Sequence, residues 1–159
     1  MDTEQLLSLA RRIVEDATFC VAATASEDAG ANARVVQPMK IQDDWTVNVI
    51  TNRRCRKVRE IERSGRLTLL YQTGDQRSYA CLAGPAEIVE DRELKRATWT
   101  PAHDRWNPGG PDDPATVFMR LKTERIELWS AVDGVTPKPK GYSAAVLVRD
   151  SDSWRYETT

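Results

Sequence analysis

Histidine and cysteine, the residues from which metal centres and disulfide frameworks are built, are scarce in this chain: 159 residues contain one histidine and three cysteines. Cys20, Cys55 and Cys81 are odd in number and widely spaced, with no CxxC pair, which argues against a disulfide framework and a structural zinc site. An excess of one charge is lacking too. Lys and Arg number 23 against 24 Asp and Glu, for a net charge of -1. No global field then favours nucleic acid or an anionic membrane as partner, and any anion site must be local. No window approaches the ~18 apolar residues that a membrane span needs, and Met1–Gln5 carries no basic stretch leading into an apolar one. The expectation is a soluble cytoplasmic protein. No internal repeat, low-complexity tract, carboxylate pair or nucleophile triad stands out.

What is present fits one domain with its own core, given the length and a hydrophobic content of 40%. Over residues 3–16, Leu6, Leu9, Ala10, Ile13 and Val14 recur at three- and four-residue intervals, predicting an amphipathic helix with Asp2 as N-cap and Gln5 three residues on. Three short β-rich runs follow, Thr18–Ala25, Ala33–Ile41 and Trp45–Thr51, and read most simply as a meander. Pro38 cannot donate a ladder hydrogen bond, which places it at an edge or a bulge. Cys55–Ser64 switches to helical spacing and stops at Gly65. Leu67–Thr73 and Ser78–Val89 are further strands. Residues 91–106 are helical but broken by Pro101, and a turn-rich loop over 107–114 leads to a strand pair over roughly 116–131. A Pro/Lys/Gly connection, a short apolar run Ala144–Val148 and a polar tail end the chain. The strands lie too close together for βαβ crossovers, so an antiparallel barrel of six or seven strands with peripheral helices is expected.

Three segments concentrate positive charge and backbone-exposing residues: Arg34–Met39, Ile50-Thr51-Asn52 at a strand end, and Cys55-Arg56-Lys57 opening a helix. Free N–H groups of a helix start, set beside Arg and Lys, suit a phosphomonoester. The competing reading is that Arg53, Arg54, Arg56, Lys57 and Arg59 form a solvated helix face, and spacing alone does not separate the two.

The order of these segments, continued by Gly84-Pro85-Ala86-Glu87, resembles the flavin signature of the pyridoxamine-phosphate-oxidase superfamily. A second stretch, Trp106 to Pro114 (WNPGGPDDP) followed by Ile126-Glu127-Leu128-Trp129, is similar to the general stress protein 26 branch. The resemblance covers roughly residues 16–131. It implies a mainly β fold, the FMN-binding split β-barrel, over residues 1–131, with 132–159 as a C-terminal extension of the same domain. It further implies that Arg34, Arg56 and Lys57 hold the FMN phosphate, that the backbone of Val35, Val36 and Gln37 and of Thr51 and Asn52 lines the ribityl chain and ring, and that Tyr79 stands beside the flavin. A homodimer, with each FMN between subunits, belongs to the same expectation, as does a place for Trp106 and Trp129 near that interface or the flavin pocket.

Departures narrow the activity. Tyr79 stands where the oxidase pattern has a glutamine, Met39 where it has a lysine for the substrate phosphate, and residues 153–159 lack the R-x-H substrate pair. These differences argue against a true pyridoxamine 5'-phosphate oxidase. Cys55 replaces a serine, which removes a capping oxygen that Asn52 would have to supply. It is either a thiol of lowered pKa or a small side chain tolerated there. His103 reads as a surface or packing residue. The resulting expectation is FMN-dependent oxidoreduction with a small redox substrate, NAD(P)H being one candidate electron donor. A non-catalytic flavin-binding stress protein and a barrel adapted to deazaflavin or haem stand as alternatives.

Overall fold

The computed structural model describes residues 1–137 and 141–157. Lys138, Pro139 and Lys140 of the Pro/Lys/Gly connection, and Thr158 and Thr159 of the tail, lie outside the described residues. The elements run α1 (Thr3–Asp16), β1 (Cys20–Ser26), β2 (Gly30–Val36), β3 (Thr46–Asn52), α2 (Arg56–Ser64), β4 (Arg66–Gln72) and β5 (Ser78–Val89). Then come α3 (Arg92–Thr98), α4 (Pro101–Asp104), β6 (Thr116–Lys122), β7 (Arg125–Ser130), β8 (Ala145–Asp150) and β9 (Ser153–Glu157). No helix among them is long and apolar enough to cross a membrane.

Local rules account for the helix ends. The Asp2 carboxylate accepts from the Gln5 N–H at 2.9 Å and the Gln5 side chain accepts from the Asp2 N–H at 3.0 Å, closing the capping box that starts α1. Gly65 ends α2 in the left-handed region at φ 64°, its N–H bonded to the Ile61 carbonyl. Pro101 breaks the helix over 91–106 into two and opens α4, because its missing N–H costs nothing at a first helical position.

Among the described residues there are nine antiparallel strands, more than the six or seven expected. Seven follow the order β2-β1-β4-β5-β7-β8-β9, while β6 bonds to both β5 and β3. The extra strands are β8 and β9. The apolar run at 144–148 falls in the first strand of a hairpin that adds to β7, with Leu128 opposite Ala145. Trp154 of that hairpin packs edge-on against buried Trp45, 5.8 Å between centroids, and Arg11 lies over the other ring at 4.5 Å. Residues 145–157 therefore pack on the barrel.

Two further expectations change. The run Ala33–Ile41 is strand only to Val36; Pro38 lies in the connection, and the Met39 N–H turns to the Asn48 carbonyl at 2.9 Å. Strands β6 and β7 do not pair with each other. The first half of β5 pairs with β7 and its end, Ala86–Val89, with β6. The two partners diverge at Gly84, where the link between β6 and β7 crosses so closely that a Cβ would overlap the Lys122 carbonyl oxygen. Glycine is required there by space, since neither backbone can yield.

Register sorts the side chains into two faces. Arg34, Ala22, Leu69, Leu82, Ile126 and Leu147 sit opposite one another across five pairings and point inward, where α1 and α2 cover them. Val35, Val21, Leu70, Cys81, Glu127 and Val146 form the matching outer row, in which Val35 is 68% exposed. Replacing Gly84 with alanine is expected to lower stability by about 3 kcal/mol, the upper range for forcing extra volume into a packed site. The midpoint of urea unfolding measures it, and an unchanged midpoint would show that the crossing can relax.

Candidate functional site

Side chains from five parts of the chain, Phe19 among them, meet where β2 ends and α2 begins. They enclose a cleft of about 700 Å³, within the size range of small-molecule sites. One wall is Val35, Val36 and Gln37, carried past the end of β2 by Pro38 and Met39. A second is Ile50, Thr51 and Asn52 at the end of β3, held in place because β3 pairs residue for residue with β6 as far as Asn52 opposite Thr116. Cys55 and Lys57 contribute the mouth of α2, and His103, Trp106 and Asn107 close the side formed by α4 and the loop after it.

The mouth of α2 is a donor site by construction. Cys55 is the N-cap residue but makes no side-chain hydrogen bond to the helix, and the Asn52 carboxamide accepts from the Arg54 N–H at 3.0 Å, two positions before the first helical residue. Asn52 therefore does not replace the missing cap. The first-turn N–H groups of α2 remain without a side-chain acceptor, and Lys57 projects beside them.

Partial burial works against a Cys55 thiolate. The Lys57 ammonium, the Thr51 hydroxyl and the Asn52 backbone outweigh it and hold the thiol below the usual cysteine range. The other two thiols move the opposite way: burial pushes Cys20 up to about 12, and burial with the nearby Glu127 carboxylate pushes Cys81 up to about 11.

Of the residues singled out in the sequence, Val35, Val36, Gln37, Thr51, Asn52 and Lys57 come together on this cleft. Arg34, Arg56 and Tyr79 are not part of its lining. Arg34 points to the inner face of the sheet, where one guanidinium nitrogen donates to the Ala22 carbonyl at 3.2 Å and the Thr24 hydroxyl at 2.7 Å, and the other to Glu60 at 3.3 Å. The side chain of Arg56 is 65% exposed and pairs with the same carboxylate, Nε to Oε1 at 3.5 Å. Tyr79 sits on the outer face of β5, opposite Gln72 and Trp129. Trp129 donates its indole N–H to the Gly141 carbonyl at 3.1 Å, whereas Trp106, 75% exposed, stands at the cleft rim.

Sequence reasoning missed Phe19, His103 and Asn107. His103 reaches the cleft because α4 is a single turn locked from both ends: its Nδ1 accepts from the Thr100 N–H at 2.9 Å, and its carbonyl accepts from the Asn107 carboxamide at 3.2 Å. The helix pair α3 and α4 is anchored in turn by Lys95, 1% exposed, which donates to the carbonyls of Asp113 and Thr116 at 3.0 and 2.8 Å. Only the histidine three residues after Thr100 hinted at this lock. Among the described residues, no group of three His, Cys, Asp or Glu side chains is placed to hold a metal ion.

Alkylation of the native chain by iodoacetamide should therefore modify Cys55 first, with a pH midpoint below that of an ordinary cysteine, while half-buried Cys81 reacts later and buried Cys20 only on unfolding. Peptide mass mapping against pH measures this order. Modification of Cys81 or Cys20 ahead of Cys55 would contradict the electrostatics described for the helix mouth.

Comparison with known proteins agrees with this architecture. The family described as pyridoxamine 5'-phosphate oxidase like matches residues 5–148. General stress protein 26 of Bacillus subtilis is 32% identical over 92 residues, a match that spans 56% of this chain and 65% of that protein's length. Among solved structures, a protein related to general stress protein 26 from Clostridium acetobutylicum superposes with a TM-score of 0.75 at 19% identity, covering 94% of this chain and 99% of the other. A pyridoxamine 5'-phosphate oxidase-related, FMN binding protein from Nostoc punctiforme superposes at 0.69 with 14% identity, covering 97% and 92%. These two structures share its fold, the antiparallel split barrel. With nine-tenths of its length matched by one family and a barrel of the same architecture, the chain belongs to the pyridoxamine 5'-phosphate oxidase-like family.

Proposed function

We propose that the protein binds FMN in the cleft between β2, β3 and α2 and works as an FMN-dependent oxidoreductase on a small redox substrate other than pyridoxamine phosphate. The observation that carries this reading is the mouth of α2. Its N–H groups, without a side-chain cap and beside Lys57, suit a phosphomonoester, and Val35 to Gln37 and Thr51 to Asn52 line the cleft next to them. The donor set fits the group on this side. Arg34 and Arg56, which the family pattern assigns to the phosphate, are tied to Glu60 instead.

When bound, the flavin supplies the two-electron chemistry, and the protein supplies binding, orientation and exclusion of water. Lys57 neutralises part of the phosphate charge. The apolar walls, Val35, Ile50 and Met39 with Phe19, favour a flat ring over bulk water. Trp106 at the rim offers a face on which a planar substrate can stack. Met39 leaves the substrate side without the cation that a vitamin B6 phosphate would need at that position.

A homodimer belongs to the same proposal. Val35 both lines the cleft and stands on the outer row with Val21 and Leu70, an apolar strip along the β2 edge of the sheet. A second copy seated on that strip would cover it and close the open side of the cleft. Light scattering should then give a mass of about 36 kDa, twice the 17.9 kDa chain, and a stable monomer at micromolar concentration would remove this part of the proposal.

The purified protein should show an oxidised flavin absorption spectrum, bleach with NADH or NADPH under anaerobic conditions and recover with an acceptor. Lys57→Ala should weaken FMN binding by about one to two orders of magnitude, the cost of one charge-assisted hydrogen bond. A spectrum that never bleaches with either nicotinamide would favour flavin storage over turnover. A chain that stays colourless in excess FMN would overturn the flavin site.

A further inference from the structure

Glu60 is the one acidic residue on α2 that is buried, at 8% exposure, and four side chains bring donors to its carboxylate. The Thr24 hydroxyl donates to Oε2 at 2.5 Å and the Asn32 carboxamide to Oε1 at 2.6 Å. Arg34 donates to Oε2 at 3.3 Å and Arg56 approaches Oε1 at 3.5 Å. Both arginines stand one residue before a cleft residue, Arg34 before Val35 and Arg56 before Lys57. Two of the three cations that the family pattern gives to the phosphate are thus held by an anion belonging to the chain itself.

We infer that Glu60 is an internal counter-anion that holds Arg34 and Arg56 in reserve, so that a ligand phosphate gains the arginines only by competing with its carboxylate. This rests on the reading of the α2 mouth as a phosphate site. The physics is a matter of charge and geometry. A carboxylate beside two guanidiniums cancels the field they would project into the cleft, and it engages guanidinium N–H groups that phosphate oxygens would otherwise accept from. Arg34 does not depend on Glu60 for its place, because its other nitrogen is anchored by Ala22 and Thr24. Removing the negative charge therefore frees donors without releasing the side chain. The consequence is specificity: a dianionic phosphomonoester can displace the carboxylate, whereas a ligand without phosphate neither gains from the arginines nor feels Glu60.

The test compares wild type with Glu60→Gln, which keeps the shape and removes the charge, and with Glu60→Ala. Inorganic phosphate is titrated by its effect on thermal melting, and FMN and riboflavin by quenching of flavin fluorescence. Both variants should bind phosphate and FMN about tenfold more tightly, a change of ~1.4 kcal/mol, with riboflavin unchanged. Equal or weaker phosphate and FMN binding in the variants, or a parallel change for riboflavin, would overturn the inference.

If neither variant folds, arginine-selective ¹⁵N spectra of the wild type decide: saturating phosphate must move the Arg34 side-chain resonance, and a fixed resonance sinks the idea. The two levels separate cleanly. A phosphate gain in Glu60→Gln with no binding of either flavin would refute the flavin reading and leave Glu60 as the counter-anion. FMN bound equally by wild type and variants would do the reverse.

Discussion

The close passage of the β6–β7 link over Gly84 is the constraint on which the rest of the molecule depends. Because glycine leaves room there, β5 hands its neighbour on one side from β7 to β6 along its length, and one strand serves two sheets. Strand β6 in turn carries β3 residue for residue, and the end of β3 is the cleft wall at Thr51 and Asn52. The site is thus positioned by a chain of backbone pairings that begins at a missing side chain. A barrel split in this way has an opening, and the opening lies beside the mouth of α2.

The second controlling feature is the burial of charged groups under α2. Arg34 and Glu60 face each other across the space between the inner sheet face and the helix, and each would be costly to bury alone. Thr24 and Asn32 complete the coordination of the carboxylate, their hydrogen bonds holding its pKa down despite desolvation, with Arg34 adding to the effect. The same cluster lies where α2 docks on β1.

Family membership explains the architecture without explaining the chemistry. The relatives share the barrel at low identity, and a shared fold does not fix the lining of a site. Here one side of the cleft is His103, Trp106 and Asn107, brought over it by α3 and α4 and pinned by the buried ammonium of Lys95 on two backbone carbonyls. This segment is the part of the wall that the shared β framework does not dictate.

Short-range chemistry made much of this protein legible from its residues. Asp2 and Gln5 announce the start of α1, Gly65 the end of α2, Pro101 the break between α3 and α4, because caps and breakers act within one helical turn. The ordered series of motifs from Arg34 to Glu87 carried the family, and six of the nine residues it named do meet on the cleft.

What no local rule contains is which strand lies beside which. That β6 leaves β7 for β3, more than sixty residues earlier in the chain, and that the short apolar run near the C-terminus joins β7 as a strand, follows from which segments meet across the barrel. The direction of Arg34 was hidden for the same reason. An arginine in a strand can face either side of the sheet, and only the arrival of Glu60 on a helix 26 residues later determined which side could hold its charge.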